Sequence, residues 1–139
     1  MNKPKILLYV VFHDHWDFIE ECITSIKENL KTIDFDVLII DSTNNNYDID
    51  RLQKFINGFR LRKIPKNLPH VVQQVYEEFL EEYEFIMRLD ADDFLYPRSI
   101  KTLFDSLNNS KDYGAAYGSW SVVDKKSREI RFISPPMED

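Results

Sequence analysis

The segment Asp90-Ala91-Asp92-Asp93 places three carboxylates within four residues, directly after an apolar run that ends at Leu89. At the end of a strand, without a counter-ion, these groups would raise one another's pKa values and destabilise the fold. A divalent cation would remove the repulsion. Mg²⁺ and Mn²⁺ prefer oxygen ligands, commonly one or two carboxylates together with the oxygens of a bound diphosphate. Residues i and i+2 of an extended segment point the same way, so Asp90 and Asp92 can share a face while Asp93 turns towards a ligand. The spacing favours a metal site.

Three other interpretations of the acidic loop are weaker. A helix N-cap needs only one acid, and Asp93 lies too far from Pro97 to cap the helix expected there. A calcium loop of the EF-hand type would need a glycine and a later glutamate that this segment lacks. A receiver-domain pocket has its paired acids after the first strand, where this chain has only Asp14.

Alternating strands and helices surround the acidic loop. Apolar runs predict buried strands over residues 6–12, 37–40 and 85–89, as in a parallel sheet covered on both faces. Helical spacing of apolar residues predicts helices over residues 18–30, 48–57 and 68–80, and a fourth helix opened by Pro97. Shorter patterns predict strands at residues 115–117 and 121–123, with residues 60–66 and 130–133 as further candidates.

The order β-α-β-α-(β)-α-β-α-β-β predicts an α/β fold with a mainly parallel sheet and helices on both faces. Ligands of such sheets bind beyond the carboxyl ends of the strands. Three polar or acidic loops directly follow buried strands, at residues 12–15, 41–46 and 90–94. The predicted site therefore combines the acidic loop with the two loops that follow Val11 and Ile40.

The first of these loops carries His13 and His15 on either side of Asp14. Histidines at i and i+2 can chelate a metal, but a third ligand at useful spacing is not apparent. Stacking of a base on His13 or Phe12 and an ordinary loop role are both open.

Length, charge and cysteine content narrow the class of protein. The 139 residues suffice for one domain with a hydrophobic core, so residues 1–139 are predicted to form a single domain. The net charge of −6 and the lack of a Lys/Arg block argue against nucleic-acid binding. The single cysteine, Cys22, lies on the apolar face of the first predicted helix, which predicts a buried thiol.

A cytoplasmic protein is the expectation from the N-terminal residues. The longest apolar run, Ile6–Phe12, is too short to span a bilayer. The residues ahead of it are few for a signal peptide and lack a small-residue cleavage site. Peripheral attachment to a membrane is the alternative.

The chain resembles the family 2 glycosyltransferases, which have the Rossmann-like GT-A fold of nucleotide-diphospho-sugar transferases. The most specific match is RLDADDFLYPRSI at Arg88–Ile100, which closely resembles the family's DXD segment and the proline after it. Weaker matches follow the family's order along nearly the whole chain, at YVVFHDHWDFIEECITSI (Tyr9–Ile26), DVLIIDST (Asp36–Thr43), NLPHVVQQVYEEFLEEYEFI (Asn67–Ile86) and GAAYGSWSVVD (Gly114–Asp124).

The resemblance implies the nucleotide-sugar-binding half of such an enzyme and a role for each acid. Asp41 would contact the base or ribose, and the backbone of Val11–His13 would flank the base. Asp92 would lie near the ribose or diphosphate. Asp93, with Asp90 or Asp92, would hold the Mn²⁺ or Mg²⁺ ion that bridges the diphosphate. Three positions depart from the family's pattern: Ser42 where a second acid is frequent, Pro69 in place of a glycine, and Gln74 in place of a basic residue.

The reaction that the resemblance implies is inverting, metal-dependent transfer of a sugar from a nucleotide-diphospho-sugar, with a UDP-sugar as the expected donor, to an unknown acceptor. A cation stabilises the diphosphate leaving group, and a carboxylate base deprotonates the acceptor. The family's base lies well beyond the acidic loop, and the late acids here fall in a predicted hairpin turn (Asp124) and a tail (Glu138-Asp139). The acceptor side is therefore expected from a homo-oligomer or a partner chain. A non-catalytic nucleotide-sugar-binding module and a degenerate GT-A interaction domain are the alternatives.

Overall fold

A four-stranded parallel sheet forms the centre of the fold in the computed structural model, which describes residues 5–44 and 49–135. Its strands are β1 (Ile6–Phe12), β2 (Asp36–Asp41), β3 (Arg60–Lys63) and β4 (Phe85–Asp90), and the helices between them are α1 (Ile19–Leu30), α2 (Ile49–Ile56) and α3 (Leu68–Phe79). The strand order is β3-β2-β1-β4, and every pairing is parallel. The predicted mainly parallel α/β fold is confirmed.

Both faces of β1 are covered, as its unbroken apolar run predicts. Leu7, Tyr9 and Val11 lie in a core that includes Val71 and Val75 of α3. The intervening residues of β1 are buried as well. The helices α1 and α2 contact each other, and each buries apolar side chains of its own. Each fully buried aliphatic side chain contributes about 1.5–3 kcal/mol relative to exposure, so this sheet is the stable scaffold of the fold.

The segment left ambiguous by its sequence, residues 60–66, contains a strand and then a loop. β3 pairs with residues 38–41 of β2, and its polar sequence RLRK suits the edge of the sheet. Asn67 follows with an extended backbone, and its side-chain oxygen accepts the N–H of His70 at 3.3 Å. With Pro69 in the first turn, these are the features of a capped helix start, and they fix the beginning of α3.

The chain divides into two compact units, Met1–Arg98 and Ser99–Asp139. The second unit contains α4 (Ser99–Asn108) and an antiparallel hairpin of β5 (Trp120–Val123) and β6 (Glu129–Ile133). Asp124 organises the hairpin turn, because its carboxylate accepts the backbone N–H groups of Lys126 and Arg128 at 2.8 and 3.0 Å. The guanidinium of Arg128 also donates to this carboxylate at 2.7 Å. The predicted turn at Asp124 is confirmed.

Two predictions of secondary structure are wrong. Residues 115–117 belong to neither of the described sheets, since no strand pairs with this short segment between Gly114 and Gly118. The helix predicted to open at Pro97 begins at Ser99. Arg98 has a φ of 67°, which interrupts the right-handed helical conformation ahead of α4.

Some predictions fall on residues 45, 46, 48, 138 and 139, which lie outside the described residues. No helix in the described part of the chain is long and apolar enough to cross a membrane.

Candidate functional site

A cleft of about 410 Å³ opens at the carboxyl end of the parallel sheet. The register pairs Phe12 with Asp41 and Val11 with Asp90, so the loops after β1, β2 and β4 begin at one level. The strand order also reverses between β1 and β4, and such switch points are where parallel sheets bind ligands. The wall of the cleft consists of Val11, His13, His15, Ser42, Asn44, Lys66, Asn67, Leu68, Asp90 and Asp92.

The loop after β1 is tied to the loop after β2. The N–H and the hydroxyl of Ser42 both donate to the carbonyl oxygen of Phe12, at 2.9 and 3.2 Å. The Nδ1 atom of His13 lies 3.1 Å from the same hydroxyl oxygen. Because that hydroxyl donates to Phe12, it can accept a hydrogen bond from a protonated Nδ1. These contacts hold His13 and Ser42 in the cleft wall.

Asp41 lies behind the wall and is fully buried. One carboxylate oxygen accepts the N–H and the hydroxyl of Thr43 at 3.0 and 2.6 Å, and the other accepts the ammonium group of Lys63 at 2.9 Å. A buried carboxylate needs such partners, because desolvation of a charge is costly. Asp41 thereby holds in place the loop that presents Ser42 and Asn44 to the cleft.

The acidic loop turns sharply at the end of β4. The N–H of Ala91 donates to the carbonyl of Val11 at 3.0 Å, which extends the pairing with β1 by one residue, and the N–H of Asp93 closes a turn onto Asp90 at 2.9 Å. Asp90 and Asp92 face the cleft. Asp93 lies beside them, exposed and outside the wall.

The acids of this loop have few cationic partners. The guanidinium Nε of Arg88 lies 3.4 Å from Asp90, and the Nε2 of His15 lies 3.9 Å from Asp92. Desolvation and the negative charges of Asp92 and Asp90 raise the pKa of Asp93. The loop therefore carries an excess of negative charge that a bound cation would relieve.

The carboxylates of the loop fit a divalent cation whose coordination shell is completed by oxygens of water or of a bound molecule. Asp90, Asp92 and Asp93 offer carboxylate oxygens, which are the donors that Mg²⁺ and Mn²⁺ prefer. Within residues 5–44 and 49–135, no group of three or more His, Cys, Asp or Glu side chains is arranged to hold a metal ion by itself. Sites for Mg²⁺ often need only one or two carboxylates, because water and phosphate oxygens supply the rest.

A second part of the cleft wall is formed by the start of α3, which follows β3 at the other edge of the sheet from β4. Lys66, Asn67 and Leu68 line the cleft there, and the first turn of α3 follows directly. A helix N-terminus carries a partial positive charge and unpaired N–H groups, and Lys66 adds a full positive charge on an exposed side chain. The cleft thus has an acidic wall and a wall suited to anions.

His15 is a further wall residue that sequence reasoning left without a role. Its Nδ1 accepts the N–H of His13 at 3.1 Å, which leaves Nε2 as the protonated atom of the neutral ring. Nε2 faces Asp92. The ring of His15 also packs edge-on against Phe12, with ring centroids 6.1 Å apart.

The structure brings some of the predicted site residues together and places others behind them. His13, Asp90 and Asp92 line one cleft. Phe12 and Asp41 are fully buried next to it and reach it through the loops they hold.

The wall at Lys66, Asn67 and Leu68 was missed by sequence reasoning. The rule that ligands bind beyond strand ends would have found this wall, if the polar segment before it had been recognised as a parallel strand.

The sequence pattern described as Glycosyl transferase family 2 matches residues 8–136 of the chain. The chain belongs to this family. The matched range includes all four strands that end at the cleft, apart from the first residues of β1. No curated protein matches the chain in sequence.

Solved structures confirm the GT-A fold of this family 2 chain. TarS from S. aureus is similar with a TM-score of 0.59 at 18% identity, over 76% of this chain and 20% of TarS. TarS 1-349 in complex with UDP has a TM-score of 0.57 at 15% identity, over 89% of this chain and 43% of that one. A proposed nucleotide-diphospho-sugar transferase from Desulfovibrio desulfuricans G20 has a TM-score of 0.59 at 8% identity, over 84% and 57%. The family 2 chain therefore spans from 20% to 57% of the length of these proteins.

Proposed function

We propose that this family 2 chain binds a nucleotide-diphospho-sugar, a UDP-sugar in the first place, together with Mn²⁺ or Mg²⁺, and serves sugar transfer from that donor to an acceptor. TarS has been crystallised with UDP and with UDP-GlcNAc, which supports the choice of nucleotide. The site residues are the donor-binding set predicted from the sequence, with the wall at α3 added.

One observation carries the proposal: the cleft joins two chemically different walls across one opening. Asp90 and Asp92 belong to the end of β4 at one edge of the sheet, and Lys66 and the start of α3 follow β3 at the other edge. A diphosphate with a bound cation is complementary to both walls. Its cation can bind the carboxylates, and its phosphate oxygens can bind the helix start and the ammonium group. A ligand without both parts would leave one wall without a partner.

The chain's own residues bind and orient the donor in this proposal. The polar groups of His13, Ser42 and Asn44 are the candidates for hydrogen bonds to the base and ribose, because they line the same cleft. Asp92, with Asp90 and Asp93, would hold the cation, which when bound supplies Lewis-acid stabilisation of the diphosphate leaving group. His15 would keep Asp92 in the wall through its protonated Nε2.

The group that accepts the acceptor's proton is not assigned to a residue. Asp124 is unsuited to the role, because its carboxylate binds Arg128 and two backbone N–H groups. A second copy or a partner chain is our proposal for the source of the acceptor side. A nucleotide-sugar-binding module without transfer is the second candidate function, and the pairing of the Asp124 carboxylate with Arg128 favours it.

The proposal is tested by calorimetric titration of the chain with UDP and with GDP, each with and without Mn²⁺. We expect UDP to bind in the presence of Mn²⁺, and Asp92→Asn to weaken this binding by about tenfold or more, because even the outer partners of metal ligands are worth about 10- to 100-fold in metal affinity. Asp112→Asn is the matched control, since it removes the charge of an exposed aspartate in the second unit.

Equal losses in Asp92→Asn and Asp112→Asn would argue for a non-specific charge effect. Failure of both nucleotides to bind, with or without Mn²⁺, would leave only the interaction-domain alternative. Slow hydrolysis of UDP-GlcNAc in the absence of an acceptor would favour a transferase over a binding module.

A further inference from the structure

The backbone that follows the acidic loop is attached to α1 at two successive residues. The N–H of Leu95 donates to the hydroxyl oxygen of Ser25 at 3.0 Å, and the side-chain amide of Asn29 donates to the carbonyl oxygen of Tyr96 at 3.1 Å. Ser25 and Asn29 are four residues apart and so lie on one face of α1.

These two side chains are fixed in place by α1 itself. The hydroxyl of Ser25 donates to the carbonyl of Cys22 at 2.7 Å, and the amide of Asn29 also donates to the carbonyl of Ser25 at 3.0 Å. Asn29 is fully buried, although it is polar. A buried amide is costly unless it is hydrogen-bonded, so its bond to Tyr96 is part of what makes asparagine acceptable at this position.

The acidic loop is thus held on both sides. Ahead of its turn, the N–H of Ala91 is bound to Val11 of β1 at 3.0 Å. After the turn, the chain is bound to α1 at Leu95 and Tyr96. Asp92 and Asp93 lie between these two anchors. Because their mutual repulsion favours an open loop, restraint at both ends keeps the carboxylates together.

We propose that Ser25 and Asn29 are positioning residues for the acidic loop, which set the geometry at which Asp92 and Asp93 meet the cation and the diphosphate. The inference rests on the function proposed for these acids. Neither side chain lines the cleft, so both act through the backbone of the loop.

Ser25→Ala is the variant that tests the proposal, because Asn29 is buried and its truncation would also remove core packing. Thr24→Ala is the matched control. Thr24 lies next to Ser25 on α1, and its exposed hydroxyl makes the same kind of bond, to the carbonyl of Glu20 at 2.8 Å. Ser25→Thr keeps the hydroxyl and should rescue the effect.

We expect Ser25→Ala to bind UDP with Mn²⁺ about fivefold more weakly than Thr24→Ala, the fold-change that corresponds to one ordinary hydrogen bond. Uridine, which lacks the diphosphate, should bind both variants alike. The amide hydrogen of Leu95 should exchange faster in Ser25→Ala than in Thr24→Ala, because it has lost its acceptor.

Unchanged exchange at Leu95, or an equal loss of UDP and uridine affinity, would overturn the positioning role. If the wild-type chain bound no UDP, the proposed function would fail instead. The exchange rate at Leu95, measured without any ligand, would then decide by itself whether Ser25 holds the loop.

Discussion

At the scale of single residues, Asp90 and Asp92 face the cleft, whereas Asp41 supports it from behind. Asp41 ends β2 at the level of the cleft, yet its carboxylate is buried and bound by Thr43 and Lys63. The family resemblance implies contact with the base or ribose. Because the carboxylate of Asp41 already accepts three hydrogen bonds, we expect it to act through the loop that it holds. Its removal should therefore lower the stability of the fold more than it lowers the affinity for a ligand.

We expect Asp41→Asn to lower the free energy of unfolding by about 2 kcal/mol, because hydrogen bonds to a charged group are worth about 1.5–3 kcal/mol and Lys63 loses its counter-charge. Urea denaturation measures the change, with Asp112→Asn as the control at an exposed site. A variant of unchanged stability that no longer bound UDP would show instead that Asp41 contacts the nucleotide directly.

Cys22 provides a residue-scale prediction of pH dependence. Burial and the negative charges of Asp93, Asp92 and Asp90 raise the pKa of its thiol from 9.0 to about 12. The thiol of the unfolded chain ionises near pH 9, whereas the folded chain keeps it neutral to higher pH. The stability that the neutral thiol contributes is therefore fully present below pH 9 and is lost as the pH rises towards 12.

Between pH 8 and pH 10, the free energy of unfolding of the wild-type chain should fall by about 1 kcal/mol more than that of Cys22→Ala. Comparison of the two slopes removes the contributions of tyrosines that ionise in the same range. Iodoacetamide should label Cys22 only after unfolding, since the thiol is buried. Parallel slopes, or rapid labelling of the native chain, would contradict the burial of this thiol.

At the scale of secondary-structure elements, the sequence predicted what hydrophobic burial determines. β1 and β2 are apolar runs buried in a parallel sheet, and α1 and α3 carry apolar residues at helical spacing. β4 is a strand of the same sheet, but it is less buried than its apolar run predicts, since Arg88 is exposed and only Leu89 of its residues is buried. Strand pairing of polar segments was harder to predict. β3 forms a strand by pairing with the edge of β2, although three of its four residues are charged.

The same limit explains what was missed in the candidate site. Apolar runs predicted three strands, and the ends of these strands identified the loops that contain His13, Ser42 and Asp90. The loop after β3 does not follow an apolar run, so the sequence did not indicate Lys66 and Asn67 as site residues. Burial of Asp41 depends on Lys63, which reaches it from the neighbouring strand, and local sequence does not contain that pairing.

The start of α3 has two functions that one residue can separate. Asn67 caps the helix through the N–H of His70, and it also lines the cleft. Asn67→Ala should destabilise the chain by about 1 kcal/mol, whereas Asn67→Asp should keep the stability, because aspartate caps as well as asparagine.

The two Asn67 variants should differ in a second measurement. Asn67→Asp adds a negative charge to the wall proposed to face the phosphates, so it should weaken UDP binding although it leaves thermal unfolding near that of the wild type. Stability and affinity that changed in parallel in both variants would show that Asn67 acts only as a cap.

At the scale of the whole molecule, the net charge of −6 bears on the ligand. A diphosphate is itself an anion, and the cleft wall carries the carboxylates of Asp90 and Asp92 against the ammonium group of Lys66, so simple attraction does not account for binding. The proposed divalent cation would offset the charges of Asp90 and Asp92, and Lys66 with the start of α3 would attract the phosphates. UDP without a divalent cation is therefore expected to be a poor ligand.

The division into two compact units gives the last prediction. Every residue of the cleft wall, the acidic loop and its anchors on α1 lies within Met1–Arg98, and so does the four-stranded sheet. A chain that ends at Arg98 should therefore unfold cooperatively and bind UDP with Mn²⁺ within about threefold of the 139-residue chain, a difference of about 0.7 kcal/mol. Circular dichroism on heating and the same calorimetric titration measure both properties. If the shorter chain folded but bound no UDP, residues 99–139 would have to contribute to the donor site, and a search for further ligand contacts would begin with the polar side chains of that unit.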